Sequence, residues 1–399
     1  MRLISLLDQL FFSAANFLIS LVLIRVYSPV EYAGYANGMV FSLALAGAYR
    51  MSFAVPASLL NDRLFGLRLR AIPAQHAMLV FPLLVFALLF GLYEFISGGR
   101  GLIYTTSFGV VGCLALFLSI DIDRVVSYRF FYGTLRLVFS LAFSCAVILC
   151  SAMIYVLRPR FELAMLFLMS LALLKMLIIG LKVGGFRWRY ARLVWHRLIK
   201  TTVGWNTFGT LSAIGYASAP QWLLGLFSGA HAVAGFSAVR LPLQPLMVVI
   251  RSLDVVDKIL FAKLASDSGV SGSKKIIKTY LMYLGFSVFF GLCIFNWAAE
   301  IITIVVGERY VGFVQVFRLT IVAYIIISTM APLETVVYKL ELFRSYAYAQ
   351  FVGGVVGLCA CIPLIHHFSA EGAVVGSIVG YLVPYTYLLA LFYKEVIRK

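Results

Sequence analysis

Five cations stand in surroundings that ordinarily exclude charge. Arg25 closes the apolar run NFLISLVLIR, Arg50 stands in GAYRMSF, Lys175 in LALLKMLII, Arg240 in FSAVRLPL and Arg318 in VQVFRLTIV. A charge at the centre of a bilayer costs about 2.5–3.5 kcal/mol on insertion scales and less near the edge, so such a residue faces a wet cavity or a partner. Candidate acidic partners are Asp8, Glu31, Asp121, Asp254, Glu300 and Glu334, and of these only Glu334 falls well inside an apolar run. The balance inside those runs is therefore positive. Guanidinium groups offer bidentate hydrogen bonds to phosphate, so a cluster of this kind suits an anionic group such as a diphosphate. The plainer alternative is that each cation snorkels to the interface or pairs singly, and it applies most to Arg25 and Arg318. Glu334 and Asp8 are the candidate sites for a coupling proton or sodium ion.

Little else in the chain could do chemistry. There is no phosphate-binding P-loop, no GxSxG and no HExxH, and no catalytic residue, metal site or cofactor is expected. The stretch DIDR, Asp121 to Arg124, carries two carboxylates in the manner of a metal-binding DxD, but it directly caps an apolar run. The six cysteines all fall in apolar runs without zinc-ligand spacing. His366 and His367 are adjacent, and adjacent residues do not share a helix face.

The elements that must position the five cations are membrane helices. The chain of 399 residues is 62% hydrophobic and 12% charged, with mean hydropathy +0.99, which a water-soluble domain of this size does not reach. Runs of about 20 apolar residues occur at 4–26, 34–58, 74–97, 101–120, 135–157, 162–183, 203–227, 233–253, 277–299, 313–337, 344–365 and 370–393. Asp8 and Gln9 lie early in the first run and no small-residue cleavage site follows it, so it reads as a span and not as a signal peptide. Lys and Arg concentrate at the chain start, the even-numbered connections and the C-terminus, which places both termini in the cytoplasm. The net charge of +17 follows from that bias, with anionic lipid head groups and not nucleic acid as its partner.

The expected fold is all-α and polytopic, with twelve transmembrane helices in two pseudo-symmetric six-helix bundles around a central cavity. Residues 1–183 form the first bundle and 203–399 the second. Between them, the basic stretch GGFRWRYARLVWHRLIKTT alternates cations with Trp188, Tyr190, Val194 and Trp195, as suits an amphipathic cytoplasmic linker over 184–202. A weak repeat supports the division: EYAGYAN at Glu31 to Asn37 and AVAGFSA at Ala232 to Ala238 lie at the first outer turn of their halves. Six spans return the chain to its starting side, so the repeats are parallel and a substrate cleft lies between them at mid-membrane. Pro220, Pro242, Pro245, Pro332 and Pro384 are expected to interrupt the seventh, eighth, tenth and twelfth spans.

Three stretches carry a family resemblance. NFLISLVLIRVYSPVEYAGYANG resembles the first hairpin of Wzx-type polysaccharide flippases, members of the multidrug/oligosaccharidyl-lipid/polysaccharide exporter superfamily, in which an apolar span ends in an arginine, a short turn and a glycine. AVAGFSAVRLPLQPL is similar to the turn and eighth span of that family, and AAEIITIVVGERYVGFVQVFRLTIVAY to its ninth-to-tenth junction. The resemblance spans the whole chain. It implies a flippase in a bacterial plasma membrane that moves an undecaprenyl-diphosphate-linked oligosaccharide from the inner to the outer leaflet, for surface polysaccharide, alongside other glycan-assembly membrane proteins. Related flippases place arginines in the first, second and eighth spans, where Arg25, Arg50 and Arg240 stand; Pro242 and Pro245 depart from that pattern. Alternating access would pass the head group from Arg50 and Lys175 to Arg25, Arg240 and Arg318. The rival readings are a cation-drug exporter of the same superfamily, whose cavity should be acidic, a membrane-embedded glycan polymerase or ligase, which would need a large outer loop, and a non-transporting scaffold.

Overall fold

The computed structural model describes residues 2–49, 72–97, 101–114, 133–182, 203–250, 253, 270–340 and 342–394. All regular structure among them is helical. Among the described residues, five helical stretches, one of them the 50-residue Phe343–Phe392, are long and apolar enough to cross a membrane, and shorter apolar helices accompany them. The chain divides into two compact units, Leu3–Leu211 and Ser212–Lys399. Among the described residues six helical stretches fall in the first and six in the second, counting the one that crosses the border with the second.

Unit 1 holds α1 (Arg2–Val26), α2 (Pro29–Tyr49), α3 (Ile72–Ile96), α4 (Leu102–Leu114), α5 (Gly133–Leu157) and α6 (Phe161–Lys182). The turn after Arg25 is a helix start. Ser28 donates from both its backbone N–H (2.9 Å) and its hydroxyl (2.7 Å) to the Glu31 carboxylate, and Pro29 takes the first helical position, where its missing N–H costs nothing. This capping box begins α2 several residues before the rise in hydropathy, and it corrects the expected boundary. EYAGYAN is therefore helical, and Tyr32 to Asn37 are buried rather than forming an outer turn.

Small residues let α2 and α4 touch backbone to backbone. A Cβ on Gly34 would collide with Thr105, and one on Gly38 with the main chain of Gly109. The Thr105 hydroxyl donates to the Val30 carbonyl at 3.1 Å. Tyr35, fully buried, shares a 3.0 Å hydrogen bond with Ser20 and so ties α2 to α1. At the α5–α6 turn Arg158 adopts φ 44, a left-handed value uncommon outside glycine. The Tyr27 hydroxyl donates to the neighbouring Pro159 carbonyl at 2.9 Å, and its ring meets Phe161 edge-on at 5.5 Å.

Unit 2 is more broken. Helix α7 runs as Val203–Ala217 and Ala219–Phe227, divided at Ser218 with Pro220 at the start of the second piece. Helix α8 runs as Gly229–Ala238, a 3₁₀ turn Leu241–Leu243 around Pro242, and a further helical piece over 244–250. The breaks expected at Pro220 and Pro242 are thus present. Helix α9 (Val270–Asn296) leads through Ala298–Ile301 and a π-helical Ile302–Val306 to Gly307, whose φ of 116 makes a turn that a Cβ would strain. A 3₁₀ segment, Glu308–Phe313, then feeds α10 (Val314–Leu340).

The stretch Phe343–Phe392 is two helices, α11 and α12, meeting at Ser369 with φ 50 and ψ −122. Pro332 in α10 and Pro384 in α12 lie inside continuous helices, as do Pro82 and Pro363. Neighbouring helices can re-satisfy a carbonyl freed by proline. Glycines again set the closest contacts: a Cβ on Gly353 would lie 2.7 Å from the Gly380 carbonyl oxygen, and one on Gly354 2.6 Å from that of Ser212 in α7.

Candidate functional site

In unit 1, Arg25 occupies the last turn of α1, where a cation complements the negative end of the helix dipole, and it is exposed. Lys175 is 5% exposed in the middle of α6, with Nζ 3.9 Å from the centroid of the Phe143 ring on α5. That ring stabilises the cation electrostatically. Arg50, the basic 184–202 segment, Asp121 and Asp254 lie outside the described residues, as does the side chain of Asp8.

In unit 2, Arg240 sits at the break in α8, half-buried, with its guanidinium carbon 5.1 Å from the Phe236 ring. Arg318 lies near the start of α10, also half-buried, 5.1 Å from the Phe295 ring of α9. Its Nε is buried and has no hydrogen-bond partner. Neither guanidinium has a carboxylate or another hydrogen-bond acceptor among the described residues.

Packing joins the helices that carry these two arginines. Gly235 of α8 lies against the Phe313 ring just before α10. Farther along, Leu246 and Ile250 of α8 share a core with Tyr283 of α9 and Tyr324 and Ala331 of α10. Arg240 follows the first contact and precedes the second on α8; Arg318 does the same on α10. The sequence reading listed both residues, but nothing in it said that their helices are neighbours.

Glu334 lies elsewhere on α10. Its carboxylate accepts a 2.8 Å hydrogen bond from the Tyr346 hydroxyl of α11. Tyr346 stacks on Tyr387 at 6.4 Å, Tyr387 donates to the Ser345 hydroxyl at 2.8 Å, and Tyr216 of α7 meets Tyr381 edge-on at 4.6 Å. This tyrosine-rich surround was missed from the sequence. Its only trace there is the repetition of tyrosine in SYAYAQ and YLVPYTY.

Of the other proposed acidic partners, Glu31 is taken up by Ser28. Glu162, at the start of α6, accepts a hydrogen bond from Tyr104. Tyr27, in the turn between α1 and α2, is pushed up from its ordinary phenol value by burial first, then by the charges of Glu31 and Glu162. It stays a neutral donor. Among the described residues no three His, Cys, Asp or Glu side chains gather as a metal site.

No known family profile matches the chain, and no characterised protein matches it by sequence. Solved structures do. The lipid II flippase MurJ in an inward closed conformation is similar over 98% of this chain and 87% of its own, with TM-score 0.68 and 10% identity. The eukaryotic MATE transporter AtDTX14 is similar over 100% and 96%, with TM-score 0.66 and 13% identity. An inward-facing multidrug resistance MATE family transporter of the MOP superfamily is similar over 100% and 95%, with TM-score 0.63 and 11% identity. The chain thus shares its all-helical fold with these solved transporters of the MATE type and with the solved lipid II flippase.

Proposed function

We propose that the protein is a flippase that carries a polyprenyl-diphosphate-linked oligosaccharide across a bacterial plasma membrane by alternating access. The observation that carries this reading is the charge inside the apolar helices: Arg240 and Arg318 are half-buried without an acidic partner among the described residues, and Lys175 is buried outright. An anionic head group in bare hydrocarbon meets a barrier of tens of kcal/mol in the Born limit, and a wet cationic path removes most of it. Arg25, Arg50, Lys175, Arg240 and Arg318 hold the diphosphate while the prenyl tail remains in lipid. Residues 1–183 and 203–399 act as the two moving bodies, both termini are cytoplasmic, and Glu334 is the candidate coupling site, with Asp8 second.

A fold shared with a lipid II flippase supports the reading, since that neighbour also handles a lipid-linked substrate. The test is complementation of a strain lacking the gene. Arg25→Ala and Arg50→Ala, each at normal protein level, should abolish surface glycan; normal glycan in both removes the assignment.

The likeness to a multidrug resistance transporter favours a second reading, export of amphipathic cations. It predicts cation-drug resistance on overexpression with surface glycan unchanged.

A further inference from the structure

We propose that the turn from Arg158 to Arg160 in unit 1 is a binding site for the phosphate head group of an anionic phospholipid, whose acyl chains lie along the exposed apolar faces of α5 and α6. It stands apart from the cations assigned to transport and does not depend on that reading. Arg158, Pro159 and Arg160 alone join α5 to α6. Two residue steps span about 7 Å at most, so both arginines leave the backbone within reach of one head group. Both are exposed, and neither forms an ion pair among the described residues. The nearby carboxylates are taken, Glu31 by Ser28 and Glu162 by Tyr104, and Arg25, two residues before Tyr27, already interacts with other groups of the structure.

The turn is a fixed platform. The Arg158 N–H donates to the Ile154 carbonyl at 3.0 Å and closes α5, and the Ala164 N–H donates to the Arg160 carbonyl at 3.1 Å and opens α6. Tyr27 holds the Pro159 carbonyl from the α1–α2 turn. These bonds use main-chain atoms of the turn and neither guanidinium. With φ 44, Arg158 occupies a helix end where glycine is the usual residue, so the fold itself gives no reason for an arginine there. On the topology proposed above the turn also faces away from the cytoplasm, where the positive-inside bias gives none either.

The surroundings name the ligand. Met153, Val156 and Leu157 are exposed on α5, and Leu163 and Phe167 on α6, each set at the three- and four-residue spacing of one helix face. In a bilayer these faces meet acyl chains, and the turn at their end lies at head-group level, where the exposed Tyr155 also belongs. A soluble anion or an acidic protein would meet the charges alone, whereas an anionic lipid meets charges and faces together. Head-group charge then selects, because the ammonium of a zwitterionic lipid offsets its phosphate.

The experiment compares the full chain in phosphatidylcholine nanodiscs with and without phosphatidylglycerol by melting temperature, and titrates the detergent-solubilised chain with each lipid for apparent affinity. Phosphatidylglycerol should raise the melting temperature and bind more tightly. Arg158→Gln and Arg160→Gln should each weaken it about fivefold, the loss expected for one cation at an anionic surface, and the double variant about twenty-five-fold. Arg158→Gly, which suits the left-handed backbone, should lose as much binding as Arg158→Gln while melting in phosphatidylcholine at or above the temperature of the unaltered protein, so lost binding is told from lost folding. Arg309→Gln, in unit 2, should bind as the unaltered protein does. No preference for phosphatidylglycerol in the unaltered protein, an unchanged preference in the double variant, or equal weakening in Arg309→Gln would each overturn the site. Equal stabilisation by soluble glycerol phosphate would overturn the role of the apolar faces, and stabilisation by polyglutamate but not by phosphatidylglycerol would assign the turn to an acidic protein instead.

Discussion

At the scale of single residues, the structure separates cations that the sequence presents as equals. Arg25 lies at a helix end and Lys175 under a ring, whereas Arg240 and Arg318 keep unused donors. Glu334 is held in place by Tyr346, so charge and position can be tested apart. Glu334→Gln keeps a carbonyl to accept that hydrogen bond and loses the charge. It should be produced at normal levels, and transport driven by a proton or sodium gradient should be lost; gradient-driven transport at the original rate would dismiss Glu334 as the coupling site. Tyr27→Phe removes the bond to Pro159 and should cost about 1 kcal/mol of stability. A group with a raised folded pKa keeps its contribution below the unfolded value, here about 10, so the loss should be equal near pH 6 and near pH 9 in thermal unfolding.

Among the helices, hydropathy made the spans legible, because about 20 apolar residues are what a bilayer requires. Their starts were less so. The capping box that begins α2 was present in the letters SPVE, yet a search for apolar length passes over it, since polar cap residues lie outside the apolar run. Ser28→Ala should lower stability by about 1 kcal/mol. Proline breaks were readable at Pro220 and Pro242, whereas Pro332 and Pro384 leave their helices continuous, because whether a helix breaks depends on what its neighbours offer the freed carbonyl. Helix pairing was not legible, for one glycine looks like another until its partner is known. Gly109→Val would drive a branched side chain into the α2 backbone at Gly34 and should reduce folded protein in detergent by a cost of about 1–3 kcal/mol or more; folding at unaltered yield and melting temperature would contradict the contact.

For the whole molecule, the chain divides into two compact units and shares its helical fold with solved structures at 10–13% identity, so the architecture follows from the apolar pattern more than from particular residues. The candidate site was legible only as a set of charges. Their grouping by unit depends on helix contacts that no spacing along the chain encodes, and Arg50 and the basic 184–202 segment lie outside the described residues. The flippase reading makes a sided prediction. Deleting the gene should leave lipid-linked oligosaccharide accumulating in the inner leaflet, measured by its access to an added glycosidase in oriented vesicles; accumulation in the outer leaflet would place the protein after translocation.

The glycine seam between α11 and α12 bears on where unit 2 can deform. Helices whose main chains touch through Gly353, Gly354 and Gly380 cannot slide or splay without opening a void, so they form a stiff slab with the part of α7 around Ser212. Flexure is left to the places where helical hydrogen bonding is already interrupted, and one of these is the joint in α8 that carries Arg240. Bending there would swing that guanidinium relative to the slab, so that the curvature of one helix sets where its charge points.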